Sequence, residues 1–155
     1  MNDADLRRTL ERFGRLRRSW NLLVIQQLKP LGVAPQQSLF LRTLRQLGPC
    51  SLASIASHSF TDPAANVRLA DVLVKRGWIV RREDPRDRRR WTVHLSRAGG
   101  RRVVQIDRII ARNVRKALSP LNLRELRQFD RLLTKLLLPR LRETERGRED
   151  QRKLP

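Results

Sequence analysis

The sequence predicts a mainly α chain with one small β-hairpin. Three observations carry that expectation. Apolar residues recur at steps of three and four over most of the length, cap residues and prolines punctuate those runs, and between residues 78 and 95 the period changes to two.

From Ala4 to Leu28 the apolar positions are Leu6, Leu10, Phe13, Leu16, Trp20, Leu23 or Val24, and Leu28. Arginines fill most of the remainder, so this is a long amphipathic helix, stopped by Pro30 and Gly32. A second helix runs from Pro35, a good first-turn residue, to the breaker Gly48-Pro49. Ser51 caps a short third helix with Leu52, Ile55 and Ala56 facing inward, and Asp62-Pro63 opens a fourth that ends at Gly77. Leu69, Ala70 and Leu73 form its buried side.

Residues 78–82 and 91–95 then alternate around a Pro-containing charged stretch, which predicts a hairpin with a long loop. Ser96 caps a fifth helix carrying Val103, Val104, Ile106, Ile109, Ile110, Val114 and Leu118. Ser119-Pro120 repeats the cap-plus-proline device before a sixth through Leu123, Leu126, Phe129, Leu133 and Leu137. From Pro139 onward apolar residues nearly vanish, as expected of a fraying end and a disordered basic tail.

Length and charge bound the function. A chain of 155 residues fits one domain of ordinary size, and its hydrophobic fraction of 39% is modest enough that another copy is expected to complete some of the core. Thirty-five Lys+Arg against 15 Asp+Glu leave a net charge of +20, which makes nucleic acid or an anionic surface the natural partner. An arginine-rich proteome accounts for part of the Arg/Lys ratio but little of the net charge. One cysteine, Cys50, allows no intrachain disulfide, and a reducing cytoplasm is the simplest home. The first residues, MNDADLRRTLERF, hold no apolar signal region, and no stretch approaches the roughly 18 apolar residues of a membrane span.

Three short helices followed by a two-stranded hairpin is the order of a winged helix-turn-helix, in which the last of the three helices enters the major groove and the hairpin loop lies beside it. The long helices before and after suit dimerisation through Leu6, Leu10 and Phe13 with Leu126, Phe129 and Leu133. The expected organisation is a dimerisation helix at 1–30, the winged helix-turn-helix at 31–96, C-terminal dimerisation helices at 97–138 and the tail at 139–155.

The segments LGVAPQQSLFLRTLRQLGPCSLASIA and VRLADVLVKRGWIVRREDPRDRRRWTVHLSRAGGRRV resemble the MarR family of bacterial transcription regulators. The DPRDRRR core of the wing, followed by a strand and a Leu-Ser-x-x-Gly helix start, is the most specific part. The resemblance covers roughly Pro30 to Val104, and the flanking helices by architecture. It implies a homodimer on a palindromic operator, usually repressing, released by a small-molecule effector or by cysteine oxidation. It also implies a minor-groove contact by Arg89, the second arginine after Asp87, and base contacts by Ala64, Ala65, Val67 and Arg68.

Two places depart from the family pattern. Ser59-Phe60 stands where a leucine and a glycine are usual at the helix-turn-helix corner, and Asn66 where a buried aliphatic residue is usual. A buried asparagine without partners costs on the order of 1–3 kcal/mol, so Asn66 either bonds locally, for instance to a corner backbone group, or the helix is set differently.

The wing packs five arginines and three acids into residues 82–90. A charged loop is ordinarily just solvated, but its place after a helix-turn-helix in so basic a chain points to DNA. Arg81, Arg82, Arg86, Arg88 and Arg90 are expected on phosphates, which gives affinity without sequence information. Asp84 and Asp87 orient neighbouring arginines, and Asp71 is placed to pair with Arg88 or Arg89. Ala64 and Ala65 permit close approach and contact with thymine methyls, and Arg68 is the long donor of the first two turns.

Cys50 reads as a small buried apolar residue before a redox switch. With His58 and His94 it makes a poor zinc set, so no metal and no cofactor is expected. Trp20, Phe40 and Trp78 can line an effector cavity between the dimer and DNA-binding parts, although aromatics at helical spacing are more often core. No phosphate loop, nucleophile elbow or paired carboxylates suggest an enzyme. The rival readings are a non-specific nucleoid-associated binder and a winged-helix module that docks an acidic protein.

Overall fold

The computed structural model describes the backbone of residues 2–84 and 87–153 and the side chains of residues 2–84 and 90–139. Among them, capping decides most element borders. Helix α1 (Asp3–Leu28) starts where the Asn2 side chain accepts from the Asp5 N–H at 2.8 Å. A 3-10 turn at Lys29–Leu31 and Gly32 in the left-handed region end it. Helices α2 (Pro35–Leu47), α3 (Leu52–Ser59) and α4 (Pro63–Lys75) follow, with Ser51 and Asp62 capping the last two. Strands β1 (Ile79–Asp84) and β2 (Asp87–Leu95) pair antiparallel, and Ser96 caps α5 (Arg97–Leu118).

The sixth helix corrects the sequence-based expectation. Helix α6 (Leu123–Lys153) begins at Asn122, whose Oδ1 accepts from Arg124 N and Glu125 N at 3.0 Å each while Glu125 Oε2 accepts from Asn122 N. Ser119 instead closes α5, its hydroxyl donating to Lys116 O. Backbone helix continues through Pro139 to Lys153, where the sequence predicts a disordered tail. A proline deletes one hydrogen bond and crowds one carbonyl, and the turns beyond it keep their own bonds.

The hairpin also differs from expectation. Its register runs from Ile79 opposite Leu95 to Asp84 opposite Asp87, so most of the charged stretch is strand rather than long loop. A short third segment joins it, since Cys50 and Val93 exchange backbone hydrogen bonds of 3.3 and 2.9 Å.

The core lies where α2, α4, the hairpin root and α5 meet. Phe40, Leu41 and Leu44 of α2 pack there with Leu73, Ile79 and Ile106, all essentially buried. Each large side chain so buried contributes about 1.5–3 kcal/mol relative to exposure. Helix α1 joins this core only at its C-terminal end, through Leu28 and Val24. Nearer its start, Leu6, Leu10 and Phe13 remain more than half exposed.

Candidate nucleic-acid interface

Helix α4 is set by its cap: Asp62 Oδ2 accepts from Ala65 N at 2.7 Å, and Pro63 supplies a preset first turn. This places Ala64, Ala65, Val67 and Arg68 on the exposed face, with Asn66, Ala70 and Leu73 inside. All four residues expected to face bases therefore share the outer surface of one helix. Arg68 makes no hydrogen bond or ion pair with another described residue.

Asn66 is 4% exposed and hydrogen-bonded within the corner. Its Nδ2 donates to Thr61 Oγ1 at 2.8 Å, Thr61 Oγ1 lies 2.8 Å from Ser59 Oγ, and Ser59 Oγ donates to Ile55 O at 2.6 Å. Because the Ser59 hydrogen is committed to Ile55, Thr61 must donate to Ser59, and the chain runs in one direction from amide to backbone carbonyl. Such a relay polarises its members cooperatively. Local bonding thus resolves the buried asparagine, through corner side chains that end on a backbone group. Between the two hydroxyl residues Phe60 adopts φ 52° and ψ 44° and caps α3. The sequence marks Ser59, Phe60 and Asn66 as departures, but it does not reveal that Thr61 joins two of them.

Among the described residues, an ion pair fastens the wing to α4. Arg81 Nη2 lies 2.7 Å from Asp71 Oδ1, so Asp71 holds Arg81; the expected pairing of this carboxylate with Arg88 or Arg89 involves side chains outside the described residues. Residue 81 lies on β1 at the wing's base, a short reach from the middle of α4. Arg82 and Arg90 are exposed, while the side chains of Arg86, Asp87, Arg88 and Arg89 lie outside the described residues.

The root of the hairpin is stitched to α5. Ser96 Oγ donates to Gly77 O at 2.6 Å and accepts from Gly99 N at 3.0 Å, and Ser96 N donates to Trp78 O at 3.0 Å. Gly99 is packed so closely there that a Cβ would lie 1.9 Å from Trp78 O. The Leu-Ser-x-x-Gly start of α5 is therefore the joint on which the wing sits.

The three residues proposed from sequence for an effector cavity are not brought together. Phe40 is core and borders a pocket of about 340 Å³ between α2 and α4, also lined by Leu69, Asn66 and Arg68. Trp78 is buried under Arg76 and Arg102, whose guanidinium carbons stand 4.9 and 5.2 Å from its ring centre. Trp20 borders a separate groove of about 460 Å³ between α1 and α6. That groove gathers Phe13, Leu126, Phe129 and Leu133 from the residues expected at a dimer interface, whereas Leu6 and Leu10 lie outside it. Cys50 is half-buried and engaged, and no group of metal-ligating side chains forms among the described residues. No helix among them is long and apolar enough to cross a membrane.

The MarR family model matches residues 33–91. No curated protein matches the chain. A probable transcriptional regulator from Pseudomonas aeruginosa is 30% identical, with a TM-score of 0.68 over 80% of this chain and 92% of that one. A cysteine-to-serine mutant of E. coli MarR, solved in complex with operator DNA, is 22% identical with a TM-score of 0.76 over 88% and 99%. BpsR from Bordetella bronchiseptica, solved in a study of how 6-hydroxynicotinic acid regulates its DNA binding, is 22% identical with a TM-score of 0.74 over 83% and 98%. The family model falls on the winged helix-turn-helix and the Pseudomonas relative extends the likeness across the flanking helices: the chain belongs to the MarR family of transcription regulators.

Proposed function

We propose that this protein is a homodimeric, sequence-specific DNA-binding regulator that represses from a palindromic operator. Each protomer sets α4 in a major groove and the arginine-rich wing in the adjacent minor groove, with half-sites one or more helical turns of about 34–36 Å apart. The observation that carries this reading is the outer face of α4, where Ala64 and Ala65 allow close approach and Arg68 is uncommitted, beside a basic wing on a chain of charge +20. Arginines on phosphates supply affinity, and Arg89 in a narrow minor groove adds recognition of shape.

Self-association is supported by Leu6, Leu10 and Phe13, which expose 52%, 69% and 53% of their surface on a helix that joins the core at its far end only. A small-molecule effector is supported by the operator-binding and ligand-responsive relatives and by the apolar pocket behind α4.

Fluorescence anisotropy with duplexes from the gene's own upstream region tests the reading. Operator binding at least roughly tenfold tighter than to random duplex at moderate salt is expected. Equal affinities with a steep salt dependence would instead identify a non-specific nucleoid binder.

A further inference from the structure

We propose that Phe60 is a DNA contact in its own right, an exposed aromatic held outward by the hydroxyls of Ser59 and Thr61 so that its ring packs on the sugar edge of the duplex beside α4. The inference rests on the DNA-binding reading above and adds a residue to it.

Two costs converge on this residue. It is the one non-glycine residue with positive φ among those described, a conformation that glycine or asparagine adopts more cheaply. Its side chain is also 54% exposed, at a corner of the DNA-reading unit rather than on the apolar stripes of α1 and α6 that suit another copy. A residue that loses both ways in the free protein gains something elsewhere.

The corner is built to keep it there. Ser59 Oγ and Thr61 Oγ1 meet across Phe60 at 2.8 Å, and that bridge is anchored on one side to Ile55 O and on the other to Asn66 of α4. Thr61 N also donates to Ala56 O at 3.0 Å. The backbone at Phe60 thus cannot leave the left-handed region without disturbing a relay that ends in α4.

What lies opposite follows from position and charge. Phe60 stands two residues before the α4 cap, at the same end of the helix as Ala64 and Ala65. A groove that admits those alanines brings a sugar-phosphate strand to the corner. The neighbouring acid, Asp62, is occupied with Ala65 N. Between phosphates a duplex presents deoxyribose C–H surface, and an uncharged ring suits that surface without taking a phosphate from an arginine.

The test uses the full chain, a fluorescein-labelled operator duplex, a random duplex of equal length, and the variants Phe60→Gly and Phe60→Asn. Both replacements tolerate positive φ, so the fold is preserved. Affinity for both duplexes is expected to fall on the order of tenfold, about 1.4 kcal/mol, with the slope against log salt unchanged because no charge is lost. The melting temperature of Phe60→Gly is expected to hold or rise. Unchanged affinity in either variant overturns the proposal, and so does a loss accompanied by a lower melting temperature in both, which would assign Phe60 to the fold. Wild-type protein that binds neither duplex overturns this inference together with the reading beneath it, whereas wild-type binding with unaffected variants removes the inference alone.

Discussion

Gly99 and Gly100 are adjacent, chemically identical and both in the first turn of α5, yet alanine should act on them with opposite sign. A Cβ at Gly99 meets Trp78 O at 1.9 Å, whereas ordinary C···O contacts begin near about 3.3 Å, so roughly 1.4 Å must be found. The obstacle is a backbone carbonyl that also accepts from Ser96 N, and it cannot swing aside as a flexible side chain would. Overpacking of this kind costs about 1–3 kcal/mol, and one strained hydrogen bond at the Ser96 joint adds roughly 1 kcal/mol. Alanine's better helix propensity returns up to about 1 kcal/mol. The net expectation for Gly99→Ala is a loss of stability near the upper end of that overpacking range, about 3 kcal/mol, and a fall in Tm of about 6–12 °C for a chain this size. At Gly100 nothing lies within 4 Å of an added methyl, so only the propensity gain remains and Tm should rise by about 2 °C. Thermal unfolding followed by circular dichroism reads both, with urea midpoints as a check. If Gly99→Ala melts with wild type, or if both variants fall together, the account of the wing joint is wrong.

Three further outcomes follow from the same geometry. Asn66→Leu removes the first donor of the corner relay and should cost about 1–2 kcal/mol in urea unfolding; a variant as stable as wild type would show the relay to be dispensable. Phe13→Asp places a charge in the groove between α1 and α6 and on an exposed apolar stripe. Light scattering should report monomers, with operator affinity reduced on the order of a hundredfold as the second half-site is lost; a stable dimer would place the interface elsewhere. Arg89→Ala should weaken operator binding more than Arg142→Ala does, and equal losses would mean that charge acts only diffusely.

The helix borders are legible because local chemistry sets them. Ser51, Asp62 and Ser96 each cap a helix within three residues, and no distant partner is needed to recognise them. Ser119-Pro120 shows the limit: its pattern matches a start, but the Ser119 hydroxyl bonds backward to Lys116 O and the true cap is Asn122 with Glu125. The outer wing strands, residues 83–84 and 87–90, are hidden for a different reason. Every one of these residues is charged, so neither strand face there carries the alternation by which a half-buried strand is recognised. At the candidate interface, the exposed residues of α4 follow from its period. The bond between Asp71 and Arg81 does not, because it depends on the angle at which the hairpin leaves α4. The relay through Thr61 is likewise unreadable in the sequence, since a left-handed residue between two hydroxyls decides that they meet.

The Asp71–Arg81 pair has a mechanical consequence. Arg81 of the basic wing is committed to protein, and in exchange α4 and the base of the hairpin are tied at mid-length, not only at Gly77. Two prongs joined at two points behave as a caliper with a set opening. On the proposed reading, with α4 in a major groove and the wing in the adjacent minor groove, a duplex whose groove spacing matched that opening would be gripped by both prongs, and one overwound or underwound would have to deform first. Releasing the tie with Asp71→Asn would loosen the jaws and free Arg81 for a phosphate while leaving Ala64, Ala65, Val67 and Arg68 unaltered, making tolerance of helical twist a property separable from base recognition.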